Sequence, residues 1–116
     1  MTVEQLRSLG RRVYAAINAQ DLAALDELFD PDVVRHATGE VGIEPAKAAV
    51  TKAFASSSGT RFEVEDVFAD ADRIALRVAV HRSAPAPVAE IIEIFRVEDG
   101  RVAEIWGAGA PRRAGA

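Results

Sequence analysis

The side chains singled out by type and spacing are His36, Arg77, His81, Glu93 and Glu104, and each could move a proton or hold a developing charge. An imidazole titrates close to physiological pH, so His36 could take a proton from a carbon next to a carbonyl. Its neighbours include the polar Arg35 and Thr38, which frees it from the core; the plainer alternative is a loop histidine making ordinary hydrogen bonds. Arg77 and His81 fall on one side of an alternating run with Ala75 and Ala79, while Leu76, Val78 and Val80 take the other side. A simple hairpin centred on Pro85 and Ala86 would set His81 opposite Glu90 and Arg77 opposite Ile94. Arg77 could then hold an acidic group or an enolate, and His81 could pair with Glu90 across the strands. The alternative, favoured for His81, is a pair of exposed charges on an outer sheet face.

Glu93, Glu104 and Trp106 form a second cluster whose geometry depends on one turn. If Asp99-Gly100 is a two-residue turn, Glu104 shares the side of Glu93 and Phe95. With Glu98-Asp99-Gly100 as a three-residue turn and bulge, Glu104 joins Ile92 and Ile94 instead. A buried carboxylate beside Trp106 would have a raised pKa and could exchange protons. The structural alternative is a salt bridge from Glu104 to an arginine such as Arg77 or Arg96.

Composition removes several other chemistries. The 116 residues contain no cysteine, hence no disulfide, thiolate nucleophile or cysteine-ligated zinc. The two histidines stand 45 positions apart with no ligand-spacing motif around them, and no metal is expected. No nucleophile elbow, phosphate-cradling glycine loop or dinucleotide fingerprint is present, so no cofactor is expected either. A formal net charge of -4 argues against a general nucleic-acid binder. No apolar run is long enough for a bilayer and no basic start precedes an apolar stretch, which makes the cytoplasm the expected location and a membrane an unexpected partner.

The elements that must position these side chains read as three helices followed by strands. Thr2 and Gln5 fit a capping box ahead of a helix whose stripe is Leu6, Leu9, Val13 and Ile17, with Tyr14 at its edge. Gly10 weakens that helix unless a close neighbour needs the space. Asp21 caps a short second helix with Leu22, Leu25, Leu28 and Phe29 on its buried face, bounded by Pro31. After an extended piece, Val33 to His36, a third helix carries Pro45 in its first turn and Ala46, Val50 and Phe54 at spacings of four. The period then changes to two over residues 61–68, 73–83, 88–97 and 101–106. Short connections between these runs predict antiparallel pairing. Gly107 and Gly109 read as a flexible exit, and residues 111–116 as a frayed tail after one domain spanning 1–110. Three helices on one face of an antiparallel sheet is an α+β domain.

Several segments carry a resemblance. The run Tyr14 to Leu25 looks like an opening helix, turn and second helix, and Leu28 to Val34 like the lead into a first strand. His36, Gly39 and Gly42, the run Asp72 to Val78, and the final hairpin Phe95 to Trp106 follow in order. Together they resemble the SnoaL-like polyketide cyclases of the NTF2-like superfamily. The resemblance implies a cone, with three N-terminal helices packed on a strongly twisted antiparallel sheet around an apolar pocket. In two places the chain departs from the family pattern. An acidic residue commonly follows the tryptophan of the last hairpin, where this chain has Gly107-Ala108-Gly109-Ala110, and the loop Ala84-Pro85-Ala86-Pro87 is short.

The function this implies is binding of a small, largely apolar organic molecule, without a cofactor. If the chain is an enzyme, the implied reaction is proton transfer next to a carbonyl, as in cyclisation or isomerisation. His36 would be the base, Arg77 or Tyr14 would stabilise the oxyanion, and Glu104 would orient or return a proton. Tyr14, Phe54, His81, Glu93 and Trp106 would contact the substrate. The alternative is a non-catalytic binding or interaction module on the same fold. Apolar residues on both sides of the run 88–97, Ile92 and Ile94 against Ile91 and Phe95, also predict a homodimer through the sheet face that the helices leave bare.

Overall fold

The computed structural model describes residues 1–112, and residues 113–116 of the expected tail lie outside the described residues. The first helix, α1 (Val3–Ala19), starts on the expected capping box: the Gln5 amide donates to Thr2 Oγ1 at 3.0 Å and the Thr2 amide to Gln5 Oε1 at 2.8 Å. Gly10 has the close neighbour it needs, since a Cβ there would stand 3.1 Å from Ile74 Cγ2. α2 (Leu22–Leu28) is capped by Asp21, which accepts from the Ala24 amide at 3.1 Å. Phe29 is buried as expected, but as the first residue of strand β1 (Phe29–Arg35) rather than on the helix. A short β2 (Glu40–Val41) leads through Gly42 at φ 107° into α3 (Ile43–Ala55).

Four long strands follow: β3 (Arg61–Asp70), β4 (Arg73–His81), β5 (Ala89–Glu98) and β6 (Arg101–Pro111). The six strands form one sheet in the order β2-β1-β6-β5-β4-β3. Leu6, Leu9, Val13, Leu25, Val33, Ile74, Leu76, Val78 and Phe95 make the core between this sheet and the helices. This is the α+β cone that the sequence predicts, with three corrections of detail.

First, β1 runs parallel to β6. Short connections force antiparallel neighbours, but β1 reaches β6 only after the chain has passed through α3 and four strands, so no hairpin constrains their sense. Second, the β4–β5 hairpin pairs Arg77 with Ile92 and Ala79 with Glu90, two residues away from the expected register. Pro85 and Pro87 have no N–H to donate to a ladder, so the connection widens to residues 82–88. Third, Gly107 and Gly109 are strand residues, paired with Glu93 and Ile91. A Cβ on Gly109 would lie 2.9 Å from the Glu90 carbonyl oxygen, and one on Gly107 would lie 3.3 Å from Glu93 Cγ. Glycine here lets two strands approach closely and leaves room for a carboxylate, a role that looks like flexibility in a sequence.

Candidate functional site

Alternation along β5 turns Ile91, Glu93 and Phe95 toward the helices and Ile92 and Ile94 away from them. Glu93 thus places one carboxyl in an otherwise apolar stripe. It lines a cavity of about 180 Å³ walled by Val13, Ile17, Val50, Phe62 and Ile105 among others. Tyr14, buried on α1, donates its hydroxyl to Glu93 Oε1. The ring of Phe62 lies 5.9 Å from that of Tyr14 and 5.9 Å from that of Phe54, which packs behind it. Asn18 fixes Phe62 by bonding both its backbone groups, at 2.7 and 2.9 Å.

Burial pushes the Glu93 carboxyl above its usual range; the Tyr14 hydroxyl and the charge of Arg35 pull it back only in part. The Tyr14 phenol is raised too, first by burial and then by the neighbouring carboxylate. The arrangement is a carboxyl and a phenol in contact, facing a space lined mostly by carbon.

His36, Glu104 and Trp106 lie on the opposite side of the sheet. Asp99 (φ 51°) and Gly100 (φ 78°) make a two-residue turn, with Glu98 opposite Arg101 and Val97 opposite Val102. Arg96, however, pairs with Glu104, so Ala103 is an extra residue and the strand bulges. Each of the two readings of this hairpin is half right: the turn is the short one, and the bulge still carries Glu104 to the face of Ile92 and Ile94. There Glu104 accepts from Arg96 Nε at 2.5 Å and lies 2.7 Å from His36 Nε2. The His36 ring stacks on Trp106 at 4.7 Å and 3°, and the Arg73 guanidinium sits 5.5 Å from the Trp106 ring centre. Hydrogen bonds from His36, then Arg96, hold the Glu104 carboxyl below its usual range.

Arg77 and His81 are on this outer face as well. Arg77 bonds Asp66 at 2.7 Å, Glu65 at 3.0 Å and Glu90 at 3.1 Å. His81 meets Glu63 at 3.0 Å rather than the expected Glu90, because the hairpin register differs. Of the residues singled out by sequence, Tyr14 and Glu93 come together at the cavity, with Phe54 behind it. His36, Glu104 and Trp106 come together outside, and Arg77 and His81 belong to separate ion pairs there. Arg35 is the cavity residue that sequence reasoning passed over. The available signal was its position two residues after Val33, which is fully buried: alternation turns both to the same face.

Among the described residues, no group of three or more His, Asp or Glu is placed to hold a metal ion, and no helix is long and apolar enough to cross a membrane. A helix-lined cone with a cavity at its inner sheet face is the architecture of the NTF2-like proteins. The SnoaL-like domain model matches residues 10–105, and the chain belongs to that family. Its fold is shared with IdmH from Streptomyces antibioticus, at TM-score 0.78 and 24% identity over 90% of this chain and 91% of that one. A SnoaL-like polyketide cyclase from Agrobacterium tumefaciens superposes at TM-score 0.81 and 19% identity, covering 95% and 93% of the two chains. An NTF2-like protein of unknown function from Burkholderia xenovorans does so at 0.76 and 18%, covering 97% and 88%. No functionally curated protein sequence matches the chain.

Proposed function

We propose that the chain binds a small, largely apolar carbonyl compound in its inner cavity and moves a proton next to the carbonyl, with Glu93 as the proton carrier. The observation that carries this reading is the Tyr14–Glu93 pair, which faces a cavity otherwise lined mainly by hydrocarbon. A carboxyl raised by burial is a stronger base than an exposed one, and a shielded site keeps water from competing for the proton. Tyr14 keeps the carboxylate oriented while it is charged. His36, Arg77 and Glu104 are not carried into this mechanism, because their side chains lie on the other face of the sheet. At about 180 Å³ the cavity is only slightly larger than the ~150 Å³ that accommodates benzene, which sets the ligand near one ring in size.

Cyclohexanone in deuterated water provides the test, with exchange of its α-protons followed by NMR. The intact protein should accelerate exchange, and Glu93→Gln should remove about 10²–10⁴-fold of that acceleration while cyclohexanone still binds. Binding without any acceleration would favour a non-catalytic binding module instead. That second reading has its own support, since the Tyr14 hydroxyl and the Glu93 carboxyl already satisfy each other.

The outer face supports a homodimer. Phe68, Ile92 and Ile94 are 65%, 52% and 42% exposed on a face that no helix covers. Sedimentation at micromolar concentration should give a dimer that Ile92→Asp dissociates; a monomeric intact protein would sink this part of the reading.

A further inference from the structure

Arg35 is the only cation among the described residues that line the cavity. β1 sets it opposite Ile105 on β6, and Ile105 points inward, so the guanidinium belongs to the inner face. One nitrogen, Nη1, is engaged: it donates to Glu40 Oε1 at 3.1 Å and to the Pro45 carbonyl at 3.4 Å. These two bonds anchor the head group between β2 and the first turn of α3. The remaining edge, Nε and Nη2, makes no hydrogen bond among the described residues, and these two nitrogens present parallel N–H groups.

Charge bookkeeping inside the cavity is also incomplete. The carboxylate that lines it, Glu93, is bonded to Tyr14 and forms no ion pair with Arg35 among the described residues. Glu40, the partner of Nη1, is itself 46% exposed and makes no bond to the open edge. Glu93 feels the charge of Arg35 but is bonded to Tyr14, so a guanidinium edge that no described carboxylate bonds favours an anion there. A free Nε–Nη2 edge matches the two oxygens of a carboxylate, the geometry in which arginine exceeds lysine. The side chain is 21% exposed.

We propose that Arg35 reads the ligand, and that the cavity takes a carboxylate of about one ring, its carboxyl group on the Nε–Nη2 edge and its apolar body between Phe62, Val50 and Ile105. This deepens the proposed function and rests on it in one respect, that the cavity admits a ligand. It assigns the carbonyl compound an acidic end, and it gives Glu93 a substrate held at a fixed distance from its carboxyl.

Benzoate and benzamide, which are alike in shape and differ in charge, separate the two ideas. Titration of the intact protein by ligand-observed NMR should show benzoate binding at least tenfold more tightly than benzamide. Arg35→Gln should erase that preference; Arg35→Lys, which keeps the charge but not the fork, should retain only part of it. Equal binding of both compounds to the intact protein, or a benzoate preference that survives Arg35→Gln, overturns the proposal while leaving the cavity reading in place. Failure of benzoate, benzamide and cyclohexanone alike to bind overturns both. The comparison on the intact protein decides the question even if the Arg35 variants do not fold.

Discussion

Glu93 and Glu104 sit on adjacent strands of one sheet, and their surroundings push them in opposite directions. Glu93 faces inward, where burial raises its carboxyl and a single phenol is its hydrogen-bond partner. Glu104 faces outward, where His36 and Arg96 hold it down and solvent reaches all three. Arg35 and His36 repeat the contrast at neighbouring positions of one chain segment: the arginine lines the cavity and the histidine stacks on Trp106 outside it. The lesson is that side of the sheet, more than residue type, assigns chemistry here. A histidine beside a carboxylate has the makings of a catalytic pair, yet this one is open to solvent on the face opposite the cavity.

The sharpest way to break the comparison is to fill the inner side. Ala49→Leu puts a branched side chain into the cavity, and cyclohexanone binding should fall at least tenfold by NMR titration, with overpacking costing about 1–3 kcal/mol. If binding persists unchanged, the ligand sits elsewhere. Gly109→Val tests the close approach of β5 and β6 directly. Its Cβ would meet a backbone carbonyl that cannot swing aside, so urea denaturation should show a loss of about 1–3 kcal/mol. A neutral result would mean that β6 does not run through Gly109 as described.

The two carboxylates give opposite pH signatures. A raised carboxyl keeps its proton in the folded protein after the unfolded chain has released it, so Glu93 costs stability as pH rises from the ordinary value of 4.5 through its folded value. Glu93→Gln should therefore be more resistant to urea than the intact protein near neutral pH, with the gap closing below 4.5. A lowered carboxyl works the other way: Glu104 contributes stability above 4.5 and loses it as pH falls through its depressed folded value. Glu104→Gln should be less resistant near neutral pH and equal to the intact protein in acid. The same sign for both variants would mean that the two residues share one environment.

Tyr14→Phe refines the inner side. It removes a hydrogen bond that favours the charged carboxyl, so the rising limb of the exchange rate against pH should move upward. An unmoved limb would show that the phenol does not tune Glu93. The smallest effect belongs to His36→Ala. Exchange should stay within about twofold, because the residue lies outside the site, while the emission of Trp106 changes as its stacking partner is lost. A large loss of exchange would return His36 to the mechanism.

Much of this was legible in the residues. The capping box at Thr2, the Leu6–Leu9–Val13 stripe, the Asp21 cap and the change of period at residue 61 are local signals, and each produced the expected element. The site was legible only in part. Glu93 and Tyr14 were visible as candidates, but nothing along the chain showed that they touch across 79 positions. Arg35 was not legible as a cavity residue because its facing depends on the pairing of β1 with β6, about 70 positions away in the chain.

By itself the sequence determined the helices, the strands, the α+β layering and the family, because caps, periodicity and turn residues act over a few positions. Tertiary structure alone decided the facing of the side chains. A single inserted residue, Ala103, moves Glu104 from one side of the sheet to the other, and one step past the end of β1 separates Arg35 from His36. With a side-chain period of two, a shift of one residue reverses every assignment beyond it, and the register that fixes it is set by contacts between strands rather than along one strand.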